Sequence, residues 1–271
     1  MKYFNWPKNI SDAKAIQISL RDKVKIIPLK KPPQYIASVD ASFTDDEIIA
    51  VTCIYKYPEL VYIGHETAIK EATFPYVPGY LTFREGPAII EAINSLKIKP
   101  ESLLQKAITP LTLALSRQGR GLINKTPPST GGVGEGAHLR LLQEPPDIIL
   151  VDGQGIAHPK GIGIASHIGV LLDMPTIGCA KSRLIGEYKE PGFKKGDWSY
   201  LKYNGRAVGA VLRTKENVRP LFVSPGHKID LKASIEIVLA CTSKYRIPDP
   251  LRMADFLSKK IKRECFRKLC R

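Results

Sequence analysis

Strand-like and helix-like segments alternate along this chain in an order that permits few architectures. Residues 35–43, 47–57 and 60–69 are three runs of strand formers with short connections, which favours an antiparallel meander. A helix-like segment comes next, and further strands and helices follow up to the C-terminus. This order predicts an α/β protein in which a mixed β-sheet carries helices on its faces.

Two helix-like segments are assigned from the spacing of their apolar residues. Residues 11–26 predict an amphipathic helix. Its candidate inner positions are Ala15, Ile16, Ile18 and Leu20. The helix-like segment after the third strand has Pro87 at a position that suits a first helical turn. Its expected inward-facing residues are Ile89, Ile90 and Ile93.

Composition bounds the size, the partners and the compartment. A chain of 271 residues that is 44% hydrophobic fits one domain with a sizeable core, or two small ones. The formal net charge of +15 suggests a polyanionic partner, most simply nucleic acid, with a basic surface kept for solubility as the alternative. The five scattered cysteines favour a reducing cytoplasm, and we expect no signal peptide and no membrane span.

Three acidic residues occupy positions that suggest a metal site. Asp40 lies inside an otherwise apolar strand, and Asp152 follows the apolar run 148–151. Burying a carboxylate is costly unless it is paired or binds a metal, and hard oxygen ligands suit Mg²⁺ or Mn²⁺. The alternatives are a turn role for Asp152, which precedes a glycine, and a helix-dipole role for Glu85. Arg84, next to Glu85, is a candidate phosphate ligand.

Basic and imidazole side chains follow in the second half of the chain. His158 precedes a proline, which disfavours a helix and predicts a loop near Asp152. His167 falls in a helix-like segment and is better explained as structural. Lys181 ends a short strand, where it could contact phosphate or remain solvated. His227 precedes a helix start, where phosphate contact and helix capping are both open.

The segment "FPYVPGY" places Tyr76 between Pro75 and Pro78. A rigid loop with an exposed aromatic tip is suited to stacking on bases or to wedging into a base stack. A buried hairpin aromatic is the alternative.

Taken together, four stretches resemble the endonuclease V family, the deoxyinosine-specific repair nucleases. They are "VDASF", "PYVPGYLTFRE", "PDIILVDGQGIAHPKGIGIASHIGVLLDMPTIGCAKS" and "VSPGHKIDLKASIEIVLACTSKYRIPDPLRMADFLS". The resemblance implies a ribonuclease H-like fold. It also implies a Mg²⁺-dependent enzyme, with Mn²⁺ as a substitute, that cleaves the second phosphodiester bond 3′ to inosine. The expected substrate is DNA containing deoxyinosine, with inosine-containing RNA as an alternative, and the expected state is a monomer.

The resemblance also implies roles for individual residues. The metal ligands would be Asp40, Glu85 and Asp152. Lys181 would position or activate the attacking water, His158 would support the site, and His227 would join the active-site cluster near the metal. Tyr76, with Pro75 and Pro78, would fill the gap left by a flipped base. The hypoxanthine pocket would be formed by Leu81, Gly153, Gly163 and Ile164.

The chain departs from the family pattern at residues 101–144. These residues are rich in Gly, Pro, Ser and Thr, and they predict a flexible insertion within a single domain 1–271. Residues 259–271 are expected to form a basic C-terminal tail. Two other functions remain open: a nucleic-acid-binding protein in which the insertion impairs catalysis, and a ribonuclease H-like nuclease of other specificity, either RNA-directed or structure-selective.

Overall fold

A computed structural model of the protein describes residues 4–96 and 145–269. The strands are β1 (Tyr35–Phe43), β2 (Glu47–Lys56), β3 (Val61–Glu71), β4 (Ile148–Val151), β5 (Thr176–Ala180), β6 (Trp198–Tyr203), β7 (Arg206–Leu212) and β8 (Leu221–His227). The helices are α1 (Ile10–Arg21), α2 (Leu81–Ser95), α3 (Ile164–Leu172), α4 (Leu231–Ala240) and α5 (Asp249–Leu269).

The eight strands form one mixed sheet in the order β3-β2-β1-β4-β5-β8-β7-β6. Strands β1, β2 and β3 pair antiparallel as the predicted meander. Strand β4 pairs parallel with β1, and β5 pairs parallel with β4. The sheet and its flanking helices confirm the predicted ribonuclease H-like α/β fold.

Helices cover both faces of the sheet, and β4 shows why its sequence is apolar throughout. All four residues of β4 are buried. Ile149 belongs to the core formed with α2 and α3, and Leu150 belongs to the core formed with α4. A strand that is covered on both faces carries a continuous apolar run rather than an alternating one.

The pairing of β1 with β4 positions two of the predicted site residues. Val39 lies opposite Val151 in the parallel register, and the Asp152 amide donates a 3.3 Å hydrogen bond to the Val39 carbonyl. Asp40 and Asp152 come directly after this pair, so they lie side by side at the same edge of the sheet. The predicted insertion at 101–144 lies outside the described residues, and β4 is in register with β1 directly after it.

Helix α1 buries a different set of residues from the one predicted. Its buried residues are Ala13, Gln17 and Leu20, whereas Ala15 and Ile18 are exposed. The prediction is confirmed for Leu20 and wrong for Ala15 and Ile18, because it kept polar residues out of the inner face. The Gln17 amide lies inside because it donates a 3.0 Å hydrogen bond to the Gly79 carbonyl.

Strand β6 is absent from the sequence-based prediction, although the sequence carried a signal for it. Strands β6 and β7 form a hairpin whose turn residues, Asn204 and Gly205, have φ of 49° and 74°. Asn-Gly supplies the positive φ angles that tight hairpin turns require.

Two predicted boundaries also change. Helix α2 begins at Leu81, so Pro87 lies in its second turn rather than its first. Helix α5 extends to Leu269, so the described part of the basic segment that begins at residue 259 continues a helix and is not a separate tail.

Four cysteines lie among the described residues. Cys53, Cys179, Cys241 and Cys265 are free thiols, and the first three are buried. Within residues 4–96 and 145–269, no helix combines the length and apolar character that crossing a membrane requires.

We predict that Ile149→Ala lowers the free energy of unfolding by about 2–5 kcal/mol, because it leaves a cavity in the sheet strand that is covered on both sides. Ile69→Ala is the matched control: this residue is 43% exposed on β3, and we expect a loss below about 1 kcal/mol. Urea denaturation monitored by circular dichroism measures both. Equal losses would contradict the central position of β4.

Candidate active site

Three carboxylates converge where the pairing of β1 with β4 ends. Asp40 in β1, Asp152 after β4 and Asp255 in α5 each offer an oxygen within 4.8 Å of the other two. The parallel pairing of β1 with β4 places the first two side by side. Helix α5 packs across β1 and β2 and brings the third.

The Asp40 carboxylate is held in a position that disfavours its charge. It accepts a 2.8 Å hydrogen bond from the Ser258 hydroxyl of α5. Burial, opposed by this hydrogen bond and reinforced by the charges of Asp152 and Asp255, raises the pKa of Asp40 to about 7. A carboxylate in such a place needs a compensating cation to ionise fully at neutral pH.

Glu85 lines the same cavity of about 280 Å³ as the three aspartates. It lies in the second turn of α2 and only 8% of it is exposed, so a helix-dipole role at a solvated first turn does not apply. Burial, with the charges of Asp40 and Asp152, raises the pKa of Glu85 to about 8. Its carboxylate lies outside the 4.8 Å group, in which Asp255 takes the place predicted for Glu85.

Lys181, directly after β5, supplies positive charge to this cluster. Its ammonium forms an ion pair with Asp152 and lies 3.6 Å from an Asp255 oxygen. Burial would lower the pKa of Lys181, but the Asp152 carboxylate outweighs it and raises that pKa above its ordinary value. Lys259 also pairs with Asp255 at 2.8 Å.

The donor set fits a divalent cation. Four carboxylates face one cavity, and two of them have pKa values raised by burial and by the charges of their neighbours. Hard carboxylate oxygens are the ligands that Mg²⁺ and Mn²⁺ prefer. A cation held by Asp40, Asp152 and Asp255, with Glu85 close by, would relieve this repulsion.

Asp255 was missed by the sequence analysis for a physical reason. It lies in the middle of a long, basic helix, and its partner Lys259 follows at the i,i+4 spacing of an ordinary surface ion pair. The sequence alone gives no sign that this helix turns the carboxylate towards the end of β1.

A second cavity, of about 440 Å³, adjoins the carboxylates and is large enough for a small-molecule group such as a base. Asp152 and Lys181 line both cavities. Seven other predicted site residues line the second cavity: Tyr76, Pro78, Leu81, Gly153, His158, Gly163 and Ile164. Below it is called the base cavity.

Backbone forms part of the base cavity because side chains cannot fit there. A Cβ atom on Gly163 would lie 2.4 Å from the Gln154 carbonyl oxygen. The Gly163 amide instead donates a 2.8 Å hydrogen bond to the Gly155 carbonyl. This contact sets the chain in position for α3, which begins at Ile164 on the cavity wall.

The loop that carries Tyr76 is fixed from two sides. Tyr76 is 66% exposed, which excludes the buried-hairpin alternative. Arg84 donates a 2.8 Å hydrogen bond to the Phe74 carbonyl, and Gln17 binds the Gly79 carbonyl at the other end of the loop. Arg84 thus supports the loop, and its charge also opposes the rise in the pKa of Glu85. Its contact with phosphate stays a prediction. Pro75 flanks Tyr76 but does not line the base cavity.

His158 lies on a loop close to Asp152, as the sequence predicted. Its Nδ1 accepts a 3.2 Å hydrogen bond from the Lys160 amide. Burial, with a smaller contribution from the Lys160 charge, lowers the pKa of His158 to about 4. The ring is therefore neutral at pH 7 and can offer a hydrogen bond to a ligand, but no charge.

The structure does not bring His227 to the carboxylates, and the prediction that it joins the active-site cluster was wrong. His227 pairs with Thr176 at the start of β5, whereas Lys181 follows the end of β5. Its Nδ1 accepts from the Lys25 amide at 3.2 Å, and its Nε2 lies 3.5 Å from Asp173. Because β5 and β8 are antiparallel, the end of β8 lies at the opposite edge of the sheet.

His167, by contrast, is placed as expected of a structural residue. It is buried between α3 and α2, where its Nδ1 lies 2.9 Å from the Gly163 carbonyl oxygen and 3.2 Å from the Thr82 hydroxyl. Burial lowers the pKa of His167 to about 4, so it is neutral at pH 7.

Sequence comparison now identifies the family. The family model described as Endonuclease V matches residues 18–107 and 136–256. The chain belongs to the endonuclease V family. As an endonuclease V it is an enzyme that hydrolyses phosphodiester bonds within DNA. The matched residues include the four carboxylates and Lys181.

Curated relatives support this membership over nearly the whole chain. Endonuclease V of Nostoc punctiforme is 40% identical over 264 residues, covering 95% of this chain and 99% of the relative. Endonuclease V of Dictyoglomus turgidum is 38% identical over 260 residues, covering 96% and 93%.

Solved endonuclease V structures share the fold. That of Streptomyces avermitilis is 32% identical with a TM-score of 0.75, covering 97% of this chain and 96% of that one. That of Ciona intestinalis, in complex with a 24mer DNA containing an inosine followed by a ribo-adenosine, is 26% identical with a TM-score of 0.70, covering 96% and 100%.

We predict that, without metal, the wild type loses stability relative to Glu85→Gln as the pH rises from 5 to 8. The pKa of Glu85 is raised to about 8 from an ordinary 4.5, so its protonated form stabilises the fold at low pH. That contribution is lost as the pH rises towards 8, by roughly 3 kcal/mol. Urea denaturation in EDTA from pH 5 to 8 measures it.

The design isolates Glu85 from groups with the opposite trend. His158 and His167 have lowered pKa values and so gain stability as the pH rises, but they do so in both proteins. Adding Mg²⁺ at pH 8 should stabilise the wild type more than the variant. Parallel pH profiles for the two proteins would show that Glu85 does not carry the raised pKa.

Proposed function

We propose that this endonuclease V recognises deoxyinosine in DNA and, with a divalent cation, hydrolyses the second phosphodiester bond 3′ to the lesion. The products would carry 3′-hydroxyl and 5′-phosphate ends, and the cut would initiate repair. The observation that carries the proposal is the junction between the base cavity and the carboxylates, which share Asp152 and Lys181. The Ciona intestinalis relative crystallised with inosine-containing DNA supports it.

The base cavity suits a purine that has left the helix. Hypoxanthine differs from adenine in carrying O6 and an N1–H on its Watson–Crick edge. Backbone donors and acceptors around Gly153 and Gly163 can match that pattern, and neutral His158 can add a hydrogen bond. Tyr76, held at the tip of its braced loop, can fill the space that the base leaves.

The carboxylates and Lys181 supply the hydrolytic chemistry. Asp40, Asp152 and Asp255 would hold the cation and Glu85 would line its cavity; Mg²⁺, or Mn²⁺ in its place, would supply charge for the leaving oxygen. Lys181, which is paired with Asp152, would contact the scissile phosphate and orient the attacking water. The positive surface adds phosphate contacts that weaken with salt.

The two alternatives differ in what supports them. Loss of catalysis would need the segment before β4 to displace Asp152, yet β4 is in register with β1 and the aspartates meet. The base cavity would read the hypoxanthine base, which DNA and RNA share, so activity on inosine-containing RNA remains the second candidate. The cytoplasmic location and monomeric state stay predictions from the sequence.

Nicking of matched oligonucleotides tests the proposal. Strands with one inosine or with adenosine at the same position, made as DNA and as RNA, are incubated with the protein in Mg²⁺, in Mn²⁺ and in EDTA. We expect cuts only in the inosine strands with metal, at the second bond 3′ to inosine. Equal cleavage of the adenosine strands would refute the inosine specificity, and tight binding without cleavage would favour the binding-only alternative.

We predict that Asp40→Asn, Asp152→Asn and Asp255→Asn each lower the nicking rate at least about a hundredfold, because each removes an anionic ligand. His227→Gln is the control. It changes a buried side chain at the opposite edge of the sheet, and we expect a rate within a few-fold of wild type. Single-turnover assays measure the rates, and melting temperatures check folding. A His227→Gln variant that is folded but has no nicking activity would overturn the placement of the active site.

A further inference from the structure

A third cavity, of about 550 Å³, opens beside the carboxylates along α5. It shares Asp152 and Lys181 with the base cavity. Of these two cavities, only the base cavity is lined by Tyr76 and Pro78, and only the third cavity is lined by residues of α5. The base cavity and the α5 cavity, as it is called below, therefore lie on different sides of the carboxylates.

One face of α5 forms the wall of the α5 cavity. Arg252, Phe256, Lys259 and Arg263 all line it. Their spacings of four, three and four residues place them along a single helical face. The face starts beside Asp255 and carries three cationic side chains around one aromatic ring.

Phe256 is the unusual member of this face. It is 59% exposed, although its neighbours Leu251 and Ala254 are buried against the sheet. An apolar ring held in water between cations contributes little to the core. Such a ring next to phosphate-binding side chains is the arrangement that proteins use to stack single-stranded bases.

The charged members of the face leave capacity for phosphate. Arg252 lies over the ring of Tyr245, 3.3 Å from its centroid, and its only ion pair with the described residues is a long one, at 3.7 Å to an oxygen of Asp249. Lys259 is paired with Asp255. Arg263 forms no ion pair or hydrogen bond with the described residues and is exposed.

We propose that the α5 cavity binds the substrate strand on the 3′ side of the scissile bond, with Phe256 stacked on a base and with Arg252 and Arg263 at phosphates. This proposal rests on the proposed function. The direction of the bound strand follows from two of its parts: the inosine base is held on one side of the carboxylates, and the cut is made 3′ to that base. From Asp255 to Arg263 the helix rises by ~12 Å, which matches about three to four stacked nucleotides.

Strand length gives a direct test. Single-stranded DNAs with one inosine and the same 5′ part carry either one or six nucleotides beyond the scissile bond. Their affinities are measured by fluorescence anisotropy in EDTA, so that neither metal nor cleavage is required. The proteins are wild type, Phe256→Ala, Phe256→Trp and the control Phe193→Ala, which removes an aromatic ring that is 68% exposed and lines none of the three cavities.

We expect the wild type to bind the longer strand more tightly. Phe256→Ala should weaken that binding at least about fivefold and leave the shorter strand unaffected, since base stacking on an aromatic ring is worth about 1 kcal/mol or more. Phe256→Trp should retain the affinity, and Phe193→Ala should match the wild type. Equal wild-type affinity for both strands, or an equal effect of Phe256→Ala on both, would overturn the proposal.

Two further measurements test the role of Arg263 and separate this proposal from the proposed function. Arg263→Gln should reduce the slope of log affinity against log salt by about 0.7 on the longer strand only, which is one phosphate contact on a single strand. An unchanged slope would remove Arg263 from the proposal. Strands with adenosine in place of inosine test the proposed function separately: a lost preference for inosine would refute that function, while the dependence on strand length would still report on the α5 cavity.

Discussion

The parallel pairing of β1 with β4 is the constraint on which the site depends. Val39 and Val151 lie opposite each other in this pairing, and the residues that follow them, Asp40 and Asp152, are therefore held close together at one edge of the sheet. The strands can hold these repelling groups because β4 is buried on both faces and cannot shift without exposing its apolar residues. Packing energy from the core thus maintains an arrangement that electrostatics opposes.

The groups around the aspartates reduce this repulsion without removing it. Lys181 pairs with Asp152, and the Ser258 hydroxyl binds Asp40. Even so, burial and like charges keep the pKa of Asp40 at about 7 and that of Glu85 at about 8. The protein is therefore preorganised to gain stability from a small, doubly charged cation. In the proposed complex, the base cavity and the α5 cavity would hold a polynucleotide strand across that position.

Much of the fold and part of the site could be predicted from the sequence. β1 is predicted to the residue, because apolar strand formers between turn residues leave little ambiguity. Asp40, Asp152 and Lys181 could be found because each is a charge within or at the end of such a strand. Local sequence carries that information directly.

The remainder depends on contacts between distant segments. Asp255 looks like a surface residue of a basic helix until α5 is packed on β1. His227 looks like a site residue until the antiparallel pairing of β8 with β5 sends it to the other edge. Gln17 looks exposed until its partner, the Gly79 carbonyl, is known. In each case the missing information was how distant segments pack or pair with one another, which no local pattern encodes.

Leu96 and Pro145 both belong to parts of the scaffold that lie away from the carboxylates. Leu96 lies ~16 Å along α2 from Glu85, and Pro145 precedes the start of β4, whereas Asp152 follows its end. Asp147 fastens the chain before β4 by accepting hydrogen bonds from the amides of Gln34 and Tyr35. Chain added between these two points is attached to the scaffold at a distance from the carboxylates, so genetic additions there, whether natural or designed as a fusion site, can vary while β4 keeps its alignment.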